Sequence, residues 1–214
     1  QACGIAAEAY GRVHPSGFGV AMVTTGPGAT NVITPVAGAW IESLPMMVLS
    51  GQVKRPDRIG SRPLRQGGVQ EVDVVPMVQS VTKYAVTILD ANDVASHVEA
   101  ALHHMRDGRP GPVWLDVPLD IQAAPMPDPE PRSRHPITSQ SPADLDAALV
   151  AVETLLNQSK RPLLLAGHGV RIAGAAKLFQ TLVHRLQIPC VFTWNAADLL
   201  PYDDGLYVGR PGTV

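Results

Sequence analysis

The chain has 214 residues, 45% of them hydrophobic, with a formal net charge of −2 and an isoelectric point near 6.4. That length suits one large or two small domains, and the small net charge leaves no basic excess for nucleic acid or an anionic membrane. No apolar run is long enough to span a bilayer and no signal-peptide pattern opens the sequence. Cys3 and Cys190 lie in apolar patterns far apart, so buried reduced thiols and a cytoplasmic location are expected.

Ala2, Ile5, Ala6, Ala9, Tyr10 and Val13 recur at helical spacing with no capping residue before them, so a helix is expected near 1–12. Phe18, Val20, Ala21, Met22 and Val23 form a nearly continuous apolar run, expected to be a strand over 18–24 buried on both faces of a parallel sheet. The run Thr24-Thr25-Gly26-Pro27-Gly28-Ala29-Thr30-Asn31 follows. Gly26 and Gly28 allow a sharp turn and leave room for a ligand, and Pro27 stiffens the bend. In open α/β sheets, ligands bind at the carboxyl ends of strands, where this loop must lie. Taken alone, Gly-Pro-Gly is also compatible with an ordinary strand-to-helix turn.

The pattern continues with a helix over 29–44, a strand over 45–50, an irregular segment over 52–68 and a short helix from about 70. A strand over 82–88, a helix over 92–106 and a strand over 112–117 complete this part. Val94, Val98, Ala101, Leu102 and Met105 make one apolar stripe, with Asn92 as the expected cap and Gly108 just past the end. Such alternation implies a parallel-sheet α/β domain.

Pro125, Pro127, Pro129, Pro131, Pro136 and Pro142 mark an interdomain linker over 125–142, dividing a domain at 1–124 from a second at 143–214. In the second domain Leu145, Leu149, Val152, Leu155 and Leu156 form an amphipathic helix, and Leu163-Leu164-Leu165-Ala166 reads as a buried strand. A helix over about 173–187 and a strand from Pro189 to Thr193 follow. The turn Gly167-His168-Gly169 offers backbone N–H groups to a phosphate, although Gly174 falls five residues after Gly169, which is not a dinucleotide fingerprint.

Several ordered stretches carry a resemblance. They are Ala6 to Arg12, Thr25 to Asn31, Pro45 to Gln52, Gln70-Glu71-Val72-Asp73, Thr82-Lys83-Tyr84, Gly108 to Val113 and Asp116-Val117-Pro118. Gly167 to Arg171 and Thr193-Trp194-Asn195 come later. Together they resemble thiamine-diphosphate-dependent enzymes of the acetolactate synthase type. The resemblance implies a three-layer parallel-sheet pyrimidine-binding domain, truncated at its N-terminus, then a partial Rossmann-like central domain.

The activity it implies is decarboxylation and carboligation of 2-oxo acids by thiamine diphosphate, in a homodimer or homotetramer, since each site is shared between subunits. The family's catalytic Glu aligns just before Gln1 and is absent here, as is the diphosphate-binding domain that holds magnesium. The chain is therefore expected to be a fragment of a longer polypeptide, inactive alone. The alternative is a non-catalytic nucleotide-binding or dimerisation module on the same folds.

Carried over residue by residue, the resemblance assigns Gly26, Pro27, Gly28 and Asn31 to the thiamine diphosphate side. It places Gln70 on the substrate side, where an amide can hydrogen-bond a substrate oxygen. From the residues alone Gln70 reads as a solvated helix start, with Glu71 as an acid favoured by the helix dipole. Val69 stands where acetolactate synthases commonly show Phe, which points to a smaller pocket wall. Gly167 and Gly169 correspond to a central domain that holds FAD in acetolactate synthases and is empty or binds another nucleotide in many relatives. Lys83 is another matching position, and also reads as a solvated lysine at a strand edge. His14, His97, His103, His104, His135, His168 and His184 show no metal-ligand spacing. No metal is assigned, and Asp203-Asp204-Gly205 reads as a turn.

Overall fold

The computed structural model describes residues 1–14, 17–126 and 144–212. The expected linker from 125 to 142 therefore lies outside the described residues, apart from Pro125 and Met126. The chain divides into two compact units, Gln1–Gln140 and Ser141–Val214.

The first unit is a parallel sheet of β1 (Gly19–Val23), β2 (Met46–Gln52), β3 (Tyr84–Thr87) and β4 (Pro112–Pro118), in the order β1-β2-β4-β3. Alternate side chains of each strand point to opposite faces, and this divides the core in two. One face packs Met46, Val48 and Trp114 against α1 (Ala2–Val13), α3 (Ile33–Ile41) and α4 (Val74–Val78). The other packs Met47, Val113 and Leu115 against α5 (Val94–Arg106) and α6 (Leu119–Gln122). Helix α1 lies so close to β1 that a Cβ on Gly19 would overlap the carbonyl of Ala7, which leaves glycine as the residue that fits.

Several local expectations change. Strand β1 is at the sheet edge, not buried on both faces, and its Val20 and Met22 are exposed. The helix expected over 29–44 is two helices, α2 (Pro27–Thr30) and α3. Pro35, with no N–H to give to Asn31, occupies the first turn of α3, where that donor is not needed, and so marks a fresh helix start. No helix begins at Gln70. That residue has φ of 57°, and α4 starts at Val74.

Asn92 does not cap the helix. A 3-10 turn, Ala91–Asp93, precedes α5, and Asp90 Oδ1 accepts from the Asn92 backbone N–H at 2.9 Å. Gly108, with φ of 60°, follows the end of α5 as expected. Lys83 is half-buried, not a solvated edge residue, and its Nζ donates to the carbonyl oxygens of Asp107 and Arg109 just past the end of α5. A cation at a helix C-terminus answers its unpaired carbonyls.

The second unit comprises α7 (Leu145–Gln158), β5 (Leu164–Ala166), α8 (Gly169–Ile172), α9 (Ala176–Leu186), β6 (Cys190–Phe192) and β7 (Tyr207–Gly209). Its strands form a parallel sheet in the order β5-β6-β7. Its core gathers Ala166, Val183, Cys190, Phe192, Leu199 and Leu200. The strand expected to be buried over 163–166 exposes Leu163 and Leu165, and α7 has no buried residue within this unit. The helix expected from 173 starts at Ala176, after a turn in which Gly174 has φ of 66°. Strand β7 had no counterpart among the sequence expectations. Cys190 is buried but Cys3 is exposed, against the expectation for both. Among the described residues, no helix is long and apolar enough to cross a membrane.

Candidate functional site

The carboxyl ends of β1, β2 and β4 converge on one rim of the first sheet, since all its strands are parallel. After β1 the backbone turns through Thr25-Gly26-Pro27-Gly28, closed by the Gly28 N–H donating to the Thr25 carbonyl at 3.2 Å. Gly26 has φ of 56° and ψ of −117°, which is the first central position of a type II′ turn and strongly favours glycine. Pro27 then opens α2. Gly28 has no positive φ, so the conformational demand falls on Gly26 alone. The Asn31 amide donates back to the Pro27 carbonyl at 2.6 Å and so closes the turn of α2.

Gln70 comes to the same place from a distant part of the chain. Its carbonyl oxygen occupies the space that a Cβ on Gly26 would take, so the two loops meet backbone to backbone. Its side chain and that of Val69 are exposed. Glu71, next to it, is buried and is not a helix-dipole acid. Its carboxylate accepts from the backbone N–H groups of Ile59 at 2.6 Å, Gly67 at 2.8 Å and Gly68 at 3.0 Å. Burial pushes its pKa up, but those three donors and the nearby Arg58 charge outweigh it, and the pKa lies below the ordinary carboxylate value.

Between the two loops lies a polar network at the end of the sheet. Asp116, on β4, is 1% exposed. It accepts from Ser50 Oγ at 2.6 Å, Thr87 Oγ1 at 3.1 Å and Gln52 Nε2 at 3.2 Å. Trp114 Nε1 donates to Ser50 Oγ at 2.8 Å, which satisfies the buried indole. Burial raises the Asp116 pKa above its ordinary value, against the lowering effect of the three hydrogen bonds and Arg58. Ser50, Gln52 and Asp116 were not singled out as site residues from the sequence. The available signal was a polar residue closing each buried apolar strand, at the end where α/β sheets carry their sites.

A cavity of about 690 Å3 opens on this rim. Met22, Leu49, Val117 and Leu119 give it an apolar wall, and Thr25, Gly51 and Gln122 supply polar groups. An apolar wall with a few fixed polar groups is the general make-up of a small-molecule site. The bare backbone at Gly51, where a Cβ would stand 3.5 Å from Gln122 Nε2, keeps that wall low.

The second unit has its own glycine turn. Gly167 follows β5, Gly169 opens the single-turn α8, and the buried His168 between them places Nδ1 3.0 Å from the Asn195 carbonyl oxygen. The longer helix α9 begins farther on, so the glycines adjoin one helical turn only. His184 Nε2 lies 2.8 Å from Asp204 Oδ2, while Asp204 Oδ1 accepts from the Leu206 N–H at 2.9 Å within the turn before β7. Among the described residues, no group of three or more His, Cys, Asp or Glu is placed to hold a metal ion.

Comparison with known proteins connects both units to one family. Residues 1–77 match the N-terminal TPP binding domain of thiamine pyrophosphate enzymes, and residues 149–214 match their central domain. The chain is 35% identical over 207 residues to the acetolactate synthase large subunit of Lactococcus lactis, covering 96% of this chain and 35% of that protein. It is 37% identical over 199 residues to the mitochondrial acetolactate synthase of Schizosaccharomyces pombe, covering 88% of this chain and 29% of that protein. Glyoxylate carboligase of Escherichia coli O157:H7 is 33% identical over 206 residues, with 96% of this chain and 34% of the relative covered. The chain thus spans about a third of the length of the curated relatives it matches. With the glycine turn and the parallel sheet on which it stands, these matches place the chain in the thiamine pyrophosphate enzyme family.

Proposed function

We propose that this chain supplies the pyrimidine side of a thiamine diphosphate site in a larger enzyme that acts on 2-oxo acids. The reaction is decarboxylation followed by carboligation to a second carbonyl, in the manner of acetolactate synthases and glyoxylate carboligase. The observation that carries this reading is the meeting of the Gly26 turn with the Gln70 loop on the rim that holds the cavity. Bound thiamine diphosphate supplies the electron sink for loss of carbon dioxide.

The chain's own residues do the positioning. Gly26 leaves room for the Gln70 carbonyl, Met22, Leu49 and Val117 line the cavity with apolar side chains, and the exposed Gln70 amide is available to a substrate oxygen. Val69 forms part of the acceptor wall and sets which oxo acid fits. The class is transferase or lyase, and the working unit is a cytoplasmic homodimer or homotetramer. The family resemblance assigns magnesium and the diphosphate to the family's diphosphate-binding domain, and the catalytic Glu to the position just before the one that aligns with Gln1. FAD at Gly167 and Gly169 enters through the family resemblance alone, and the flavin absorbance of the purified enzyme tests it.

Isothermal titration with thiamine diphosphate and magnesium tests the division of labour. The complete enzyme is expected to bind tightly and turn over a 2-oxo acid. The 214-residue chain by itself is expected to show neither tight binding nor activity, because the anionic tail has no anchor on it. Submicromolar binding by the chain alone would overturn this reading, and a complete enzyme without cofactor-dependent turnover would favour a non-catalytic module.

A further inference from the structure

Gln52 closes β2 at the rim, and all four hydrogen-bonding positions of its amide are used. Its Oε1 accepts from Thr25 Oγ1 at 3.0 Å and from the Val53 backbone N–H at 2.9 Å. Its Nε2 donates to the Val72 carbonyl at 2.9 Å and to Asp116 Oδ2 at 3.2 Å. Thr25 belongs to the glycine turn, and Val72 lies two residues from Gln70. One side chain, 5% exposed, therefore holds both loops that meet at Gly26.

Asp116, the Val53 N–H and the Val72 carbonyl all set the same orientation for that amide. A buried carboxylate only accepts, so it requires the Nε2 side, and this turns Oε1 towards Thr25 and Val53. Ser50 and Thr87 fix the carboxylate in turn. Reversing the amide would set Oε1 against Asp116 and Val72 and face Nε2 with the Val53 N–H, losing three of the four bonds in a site that water hardly reaches, since only the Thr25 hydroxyl can accept as well as donate.

We infer that Gln52, held by four hydrogen bonds, is a positioning residue that sets the glycine turn and the Gln70 loop in register. The inference rests on the proposed cofactor site for its functional meaning, but not for its test.

Amide hydrogen exchange on the 214-residue chain reads the two loops separately from the core. Gln52→Met, close in size but without the amide, should lower protection about tenfold or more in both 24–28 and 70–73, while β4 and α5 keep theirs. Thr25→Val should release the glycine turn only, and Thr25→Ser should restore it. Unchanged exchange in both loops of Gln52→Met, or a uniform loss across the sheet in every variant, would overturn the inference. If the loops respond as described but the complete enzyme shows no thiamine diphosphate dependence, the functional reading fails and the positioning role stands.

Discussion

Gly26 and Gln70 lie 44 positions apart in the chain, yet the carbonyl oxygen of Gln70 fills the space beside the Gly26 Cα. Each residue has a positive φ, 56° for Gly26 and 57° for Gln70. The contact explains why a glycine is needed at this corner in two ways at once. The turn type demands its backbone angles, and the opposing carbonyl leaves no room for a side chain.

Gly26→Ala should therefore destabilise the chain by about 2–4 kcal/mol, combining backbone strain with overlap against a backbone atom that cannot rotate away. Gly28→Ala is the control. Its Cβ would meet only Thr24 Cγ2, at 2.6 Å, and its backbone is helical, so a loss of about 1 kcal/mol or less is expected. Urea denaturation of both variants measures the difference, and equal losses would mean that the Gln70 contact contributes nothing.

The side chain of Gln70 can be separated from its backbone by comparing Gln70→Ala with Gln70→Gly. Both remove the amide, so turnover of the complete enzyme should fall about a hundredfold in each, in line with loss of one preorganised donor. Glycine adopts the positive φ without strain, and Gln70→Gly should be more stable than Gln70→Ala by about 0.5–1 kcal/mol. Steady-state kinetics and thermal melts read the two effects independently. Wild-type turnover in both variants would confine Gln70 to its backbone role.

Val69 is 82% exposed beside Gln70, so a larger side chain can be accommodated there without disturbing the core. Val69→Phe should alter the preference among pyruvate, 2-oxobutyrate and a bulkier aromatic oxo acid by about 1–3 kcal/mol of discrimination. Unchanged ratios of kcat/KM would remove Val69 from the acceptor wall.

Glu71 gives the loop a pH dependence of defined sign. Its pKa is lowered in the folded chain, so its contribution to stability is fully present above the ordinary carboxylate pKa and is lost as pH falls through the depressed folded value. Glu71→Gln should lower stability at neutral pH and flatten the acid limb of the stability profile. Asp116 works in the opposite direction. With its pKa raised, its ionisation costs stability as pH rises from its ordinary value through the folded one, and Asp116→Asn should remove that slope. Denaturation midpoints at several pH values, compared between the two variants, check both signs.

The sequence by itself determined the parallel α/β organisation of the first unit and the glycine turn, because both rest on local patterns. Apolar runs at strand length alternate with helical stripes such as Val94 to Met105, and Gly-Pro-Gly follows a strand directly. It also determined the family, through ordered motifs distributed along nearly the whole chain. Tertiary structure decided what no local window contains. The apolar run at Val20 and Met22 suits a buried strand equally well, and only the strand order puts it at an edge. Gln70 and Glu71 looked like the start of a helix. Their angles are set instead by a carbonyl packed on Gly26 and by three loop amides around a carboxylate. Gln52 and Asp116 are separated by 64 positions and are joined only because β2 pairs with β4, bringing the polar ends of two apolar strands within hydrogen-bonding distance.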